Sequence, residues 1–433
     1  MLDINTKAEY SDAITGMEFH THKPYASSTF KNNDEIRIPI SQQDIITAPF
    51  ESTLLVKGTV KSTKTDRTEA PWHFVNNAVA FFFDEIRYEI AGIEVDRTKN
   101  VGITTTMKNV LSIRPHEVNM LKNACWLGPG EKLQSKEFSF SVPLRLLLGF
   151  AEDYRRVIVN NKQELVLLRS ASDKNAVISN DASDVSITIT GVYWRVPHVN
   201  VSDSYRLTML RMIEKDTTVH IPFRSWELHE YPSLPQTNIH SWTVKTSAQL
   251  EKPRYVILAF QEDRKNQYAK DMSSFDHCDL TNIKVYLNSQ YFPYDNINGD
   301  KTLFYEMFCR FLESYYGRQS TGQTAVTMEK FNANVPLYVV DCSKQNDAIK
   351  SGPVDVRVDF ETKNAVPAST TAYCLLIHDS HMTYKLLTGS EDSEEEAEAE
   401  AEAEAEAEAE VETEAEAEAE AEAEAEADEG LSR

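Results

Sequence analysis

The chain has 433 residues, with 44 Lys and Arg against 68 Asp and Glu and a formal charge of −24. Residues 391–429 hold 22 acidic and no basic side chains, which leaves 46 acidic and 43 basic in residues 1–390, a net of −3. The body is nearly neutral and its linear sequence shows no basic face, so direct, sequence-specific nucleic-acid binding is not expected, and the length suits two or three domains.

The opening Met1-Leu2-Asp3-Ile4-Asn5 has neither a basic nor an apolar stretch, so no secretory signal is expected there. His20-Thr21-His22 has the spacing of the first metal motif of cupins. That motif needs a glutamate a few residues on, and the next is Glu35. Neither His73 nor His116 is placed to supply the later ligand, so the pair is read as part of an N-terminal arm.

Ile36-Arg37-Ile38-Pro39-Ile40 is echoed by Val219-His220-Ile221-Pro222-Phe223. Ile86-Arg87-Tyr88-Glu89-Ile90-Ala91-Gly92 is echoed by Ile283-Lys284-Val285-Tyr286-Leu287-Asn288-Ser289. Repetition of events in the same order points to one fold built twice. Each proline lacks a ladder donor and is expected at a sheet edge or a bulge. Ile86, Tyr88 and Ile90 share a face, Ala91-Gly92 turns, and Ile93 and Val95 return, which reads as a hairpin. Asn288-Ser289 makes the second such turn.

A helical pattern follows the first hairpin at residues 104–113. Then period-two alternation takes over, in Phe138, Phe140 and Val142, in Val185, Ile187 and Ile189, and in Val354, Val356, Val358 and Phe360. Such strands bury one face and wet the other, the pattern of antiparallel sheets packed as a sandwich. Residues 202–213 join the halves with a helical pattern and Asp203 near its start. Leu303, Phe304, Met307, Phe308, Phe311, Leu312, Tyr315 and Tyr316 form a helical stripe that Gly317 can end. The expected organisation is a first sandwich with its arm at 1–200, a linker at 201–214, a second sandwich at 215–388 and a low-complexity tail at 389–433. Glu and Ala both favour helix, but Glu at i and i+4 on every face repels. The tail is therefore expected as a disordered, solvated polyanion that keeps the protein soluble or docks basic partners such as histones.

Five cysteines, widely spaced and without CxxC, argue against a disulfide framework or structural zinc and for reduced thiols in the cytoplasm or nucleus. The apolar cluster at 144–150 is too short to span a bilayer, so no membrane partner is expected. No dinucleotide, P-loop or nucleophile-elbow motif occurs. Asp276-His277-Cys278-Asp279 would alternate in direction if extended and is read as a loop before a strand. His378-Asp379-Ser380-His381 is read as a turn beside the final strand. Trp72, Trp126, Trp226 and Tyr231 are candidate centres of subunit interfaces, with burial in the core as the commoner fate of such rings. No catalytic, cofactor-binding or metal-binding residue is assigned, and an enzyme is not expected.

Five tracts carry a resemblance. They are Phe83-Asp84-Glu85-Ile86-Arg87-Tyr88-Glu89-Ile90-Ala91-Gly92, Phe275-Asp276-His277-Cys278-Asp279-Leu280-Thr281-Asn282-Ile283-Lys284-Val285-Tyr286-Leu287-Asn288-Ser289, Ser314-Tyr315-Tyr316-Gly317-Arg318, Val340-Asp341-Cys342-Ser343-Lys344-Gln345 and Thr370-Thr371-Ala372-Tyr373-Cys374-Leu375. Over roughly residues 15–388 the chain resembles the double jelly-roll proteins of Polinton (Maverick)-type elements and related sequences of insect and other animal genomes. Those look like major capsid proteins of double-stranded DNA viruses. The resemblance implies an all-β chain of two eight-stranded sandwiches standing upright, three copies forming a pseudo-hexagonal capsomer, and a place in a virion when assembled. The chain is compact for that group, and the Glu-Ala tail is foreign to it. The alternative expectation is an acidic-tailed binding module or chaperone for basic proteins. A cupin-type metal enzyme is a distant third.

Overall fold

Two sandwiches of eight principal strands follow one another along the chain. The computed structural model describes residues 13–25, 29–41, 45–63, 71–128, 131–179, 184–246, 253–317, 324–344 and 354–386. The tail at 389–433 lies outside the described residues.

In the first half the strands are β1 (Ile14–His22), β2 (Glu35–Ile40), β3 (Ile46–Thr47), β4 (Thr53–Thr63), β5 (Trp72–Phe74), β6 (Phe83–Ile90), β7 (Ile93–Lys99), β8 (Glu137–Pro143), β9 (Ile158–Val159), β10 (Gln163–Arg169), β11 (Val177–Ser179) and β12 (Asp184–Val201). The helices are α1 (Val101–Ser112), α2 (Pro115–Leu121) and α3 (Gly149–Asp153). Helix α4 (Asp203–Glu214) joins the halves and has no buried residue. The second half holds β13 (Thr218–Tyr231), β14 (Ile239–Thr246), β15 (Pro253–Glu262), β16 (Leu280–Leu287), β17 (Gln290–Phe292), α5 (Lys301–Tyr316), α6 (Met328–Ala333), β18 (Tyr338–Asp341), β19 (Asp355–Thr362) and β20 (Thr370–Lys385).

The second half forms two sheets of order β13-β20-β15-β18 and β14-β19-β16-β17. In the first half β1 and β4 flank β12, and β8 flanks β4; the facing sheet runs β2-β10-β6-β7. Replacing β1, β2, β4, β6, β7, β8, β10 and β12 in turn by β13 to β20 converts one pair of sheets into the other. Both halves are jelly rolls with the same connectivity, and α1 and α5 are equivalent helices between the fifth and sixth principal strands.

This equivalence corrects one of the two echoes. The hairpins after Ile86 and Ile283 are equivalent, being β6–β7 and β16–β17, and Ala91, Gly92 and Asn288 all take positive φ at the turns. Residues 36–40 and 219–223 are not equivalent. The former are β2, the second strand of its roll, and the latter belong to β13, the first strand of the other. Both strands lie at sheet edges, where a proline is tolerated. The pentapeptide encodes an edge strand with one buried face, and a jelly roll has more than one of those.

The residues between His378 and His381 are not a turn but part of β20, opposite Ser225 to Pro222 of β13. Pairing with β15 ends at His378. Beyond it β20 has one neighbour, so its polar residues reach solvent. Helix α5 follows the sequence stripe: Asp300 caps it by accepting from the Thr302 N–H at 2.8 Å, and Phe304, Phe308, Phe311, Leu312 and Tyr315 are buried. Helix α1 begins at Val101 and every residue of it is buried, including Lys108 and Asn109. A single apolar core runs from Ile36 to Leu386 through both rolls, crossing between them where Phe150 meets Phe223 edge-on at 6.0 Å.

Candidate functional site

The junction between the rolls holds three buried charged side chains, Asp96, Lys108 and Glu152. Its first-roll side is built by β7, α1 and α3, and its second-roll side by β13 and the end of α5. Gly149 opens α3 where β13 passes. A Cβ there would lie 1.9 Å from the Arg224 carbonyl oxygen, so only glycine admits the strand at this distance. The Arg224 backbone N–H then donates to Asp153 Oδ2 at 2.9 Å, and its guanidinium grips the same carboxylate through Nε at 2.7 Å and Nη2 at 2.5 Å. Nη1 donates to the Tyr315 carbonyl at 2.7 Å, and the guanidinium stands 3.5 Å from the centre of the Tyr315 ring. Such a two-pronged, stacked arrangement uses the planar fork that lysine lacks.

Behind it, the Lys108 ammonium, 1 % exposed, donates to the Glu152 carboxylate. The Tyr315 hydroxyl donates to Glu152 Oε2 at 2.9 Å, and the Tyr316 hydroxyl donates to Oε1. Lys108 Nζ also lies 4.6 Å from the centre of the Trp226 ring. Burial pushes the Lys108 pKa down, and the Glu152 carboxylate opposes the fall. Burial, reinforced by Glu152, raises Tyr315 and Tyr316 well above the usual phenol range. The carboxylate is thus met by one cation from the first roll and two hydroxyls from the second. Parting the rolls would take the two hydroxyls from Glu152 and the guanidinium from Asp153, and leave the Lys108–Glu152 pair intact within the first roll.

Asp96 of β7 accepts from Phe150 N–H at 2.9 Å, from Arg97 N–H at 2.9 Å and from Ser225 Oγ across the junction at 3.3 Å. Burial nevertheless pushes its carboxyl up to about 6 from 3.8. A raised folded-state pKa adds stability that is complete below the unfolded value and lost as pH rises through the folded one. Between pH 4 and pH 7 the wild type should therefore lose up to about 3 kcal/mol relative to Asp96→Asn, which cannot ionise. Denaturant melts of both proteins across this window check it; parallel curves would contradict it.

The residues singled out in the sequence fall as follows. Trp226 is buried at the junction beside Lys108, while Trp72 and Trp126 are buried within the first roll. These three cannot be the centres of contacts with other subunits, because the chain's own core already takes their surface. Tyr231 is partly buried near Trp242, with ring centres 5.6 Å apart. His20 and His22 are not in a loose arm: they belong to β1, paired with β12 from His198 to Trp194. His198 stacks on His20 at 4.0 Å and brings Nε2 to 3.2 Å from Nε2 of His22. Burial and the two neighbouring histidines lower His198 to about 4. The sequence reading tested His73 and His116 as partners and missed His198. The signal that could have found it is that a jelly roll pairs its first strand with its last. Parallel stacked rings do not converge on one ion, and among the described residues no group of three or more His, Cys, Asp or Glu is arranged to hold a metal.

Asp276 accepts from Arg264 through Nε at 2.9 Å and Nη2 at 2.5 Å, and His277 Nδ1 lies 3.2 Å from Asp279. Cys278 and Asp279 take positive φ just before β16 begins, so this tract is a loop before a strand. Burial pushes the Cys278 thiol up to about 12, which makes it inert. Lys108, Gly149, Glu152, Asp153 and Arg224 were not singled out in the sequence. They come from three separate elements, and no linear motif joins them.

Among curated proteins none matches the chain. Solved structures of similar fold include the Faustovirus major capsid protein, with TM-score 0.57, 9 % identity, and 89 % of this chain and 92 % of that one covered. A chain of the Sputnik virophage is similar at TM-score 0.59 and 9 % identity, covering 90 % of this chain and 91 % of that one. The mavirus major capsid protein is similar at TM-score 0.53 and 12 % identity, covering 86 % and 89 %. At these identities the likeness is one of fold, and it extends over both rolls. The double jelly-roll-like domain family matches residues 72–382. The chain belongs to the double jelly-roll-like domain family, as the tracts in its sequence led us to expect.

Proposed function

We propose that this chain is a structural, capsid-like subunit, without catalysis, that forms trimers in which six similar rolls surround one axis and that packs further into a shell. The observation that carries the reading is the junction of the rolls. A chain that folds the same roll twice, at 1–200 and 215–388, and joins the two through the Arg224–Asp153 ion pair and the Tyr315 and Tyr316 hydroxyls on Glu152 is a rigid two-unit tile. Its likeness in fold to capsid proteins of Faustovirus and mavirus supports the same use. On this reading the protein is virion-associated when assembled and belongs with Polinton-type elements or with a host that has adopted one. Light scattering of the full chain tests it. A species of three times the 49.2 kDa chain mass, or a larger particle, is expected. A monomer at every concentration would overturn the reading.

The 22 acidic residues at 391–429 favour a second role, as a docking site for basic proteins such as histones in the cytoplasm or nucleus. Removing residues 389–433 should abolish any salt-sensitive histone complex and leave trimer formation intact. A complex that survives the deletion would place that site elsewhere.

A further inference from the structure

A cavity of about 290 Å³ has walls from both rolls. Val110 of α1, Ile113 and Trp126 come from the first roll, and Val326 and Val335, on either side of α6, come from the second. Val110, Ile113 and Trp126 are buried, and the two valines are half-buried against the same core. An apolar space of roughly 150 Å³ is enough to hold benzene, so this one admits a two-ring molecule.

One polar group in the wall is unsatisfied. Asn109 of α1 lines the cavity and is fully buried, and its Nδ2 donates to the Leu146 carbonyl at 2.9 Å. Its Oδ1 has no hydrogen-bond partner among the described residues. A buried acceptor without a donor is costly, so its place in a cavity wall calls for a donor from outside the chain. Other polar groups of the wall are already used. Asn76 Oδ1 accepts from the Leu127 N–H at 2.7 Å, and the Asp271 carboxylate accepts from Ser273 Oγ at 2.7 Å and from Ser274 Oγ at 2.9 Å. The charged groups around the cavity balance, Lys132 and Lys330 against Glu131 and Asp271. Burial, with Lys132, lowers the pKa of His73 beside them, which keeps that ring neutral at pH 7. The surroundings therefore select neither an anion nor a cation.

We propose that this cavity binds a small, uncharged, two-ring aromatic molecule whose N–H or O–H donates to Asn109 Oδ1. Such an apolar cavity with a single placed polar group is the usual form of a small-molecule site. Its walls belong to both rolls, so the bound molecule bridges them and steadies the junction. A chain that stayed monomeric would bind it equally well.

Indole is the probe, and indene, of the same shape but without a donor, is the control. In titration calorimetry of the full chain, indole should bind one to one and at least about fivefold tighter than indene, although indene is the more apolar. Ala325→Trp sets a ring into the wall from a half-buried loop position and should abolish indole binding without changing the far-ultraviolet circular dichroism. Asn109→Leu keeps the bulk, removes the acceptor and should bring indole down to the affinity of indene. Should Asn109→Leu fail to fold, the indene comparison on the wild type decides the same point. In hydrogen exchange, indole should raise protection in residues 109–113 and 330–335 together. A wild type that does not bind indole overturns the proposal. Equal affinity for indole and indene overturns the role of Asn109 Oδ1 and with it the class of ligand. Indole binding that survives Ala325→Trp places the molecule elsewhere and overturns the site.

Discussion

Glu152→Gln should cost the folded chain about 3–5 kcal/mol, the usual loss when one partner of a buried ion pair is removed. The glutamine keeps the shape, but its one amide oxygen can accept from only one of the Tyr315 and Tyr316 hydroxyls, which bond different oxygens of the carboxylate. It leaves the Lys108 ammonium, 1 % exposed, without a counter-charge. The Trp226 ring at 4.6 Å offers that cation only partial relief. Urea melts of the two proteins measure the loss. Pairing Glu152→Gln with Lys108→Met should recover most of it, because the stranded charge is then gone and the methionine fills the same space. A single variant within 1 kcal/mol of the wild type would show that this pair does not support the first-roll side of the junction.

Gly149→Ala should open the same junction by steric means. The new Cβ would meet the Arg224 carbonyl oxygen at 1.9 Å, its carbon at 3.0 Å and Trp226 Nε1 at 3.2 Å. Backbone atoms cannot rotate aside, so β13 must move away from α3 by an ångström or more, an overpacking cost of about 1–3 kcal/mol. The shift also lengthens the Arg224 hydrogen bonds to Asp153, which adds to the loss. Amide hydrogen exchange locates the effect. Protection should fall at residues 223–226 and 149–153 and stay unchanged in β16 and β19, which face away from the junction. Uniform loss across the second roll, or none, would contradict this assignment.

Much of the architecture is legible in the sequence because its signals are local. Alternation over a few residues places Phe138, Phe140 and Val142 on β8 and Val356, Val358 and Phe360 on β19, all buried on one face. The α5 stripe and the two hairpin turns are equally short-range. What fails is whatever depends on distant partners. Lys108 and Glu152 look like surface charges until the chain brings them together across 44 residues, and Tyr315 joins Glu152 across 163. His198 meets His22 across 176 residues. The stretch from His378 to His381 reads as a turn because it is polar, yet it is polar because β20 loses one neighbour there. The mistaken echo has a related cause: five residues specify an edge strand, but which edge is decided by pairing with β10 or with β20.

The central claim is that two matching rolls, locked together, exist to tile with copies of themselves. Electron-microscopy class averages of the purified full-length protein test it most directly. The expected image is a closed ring of six similar lobes from three chains. Isolated two-lobed particles at every concentration, or rings whose lobe number is not twice the number of chains, would contradict it.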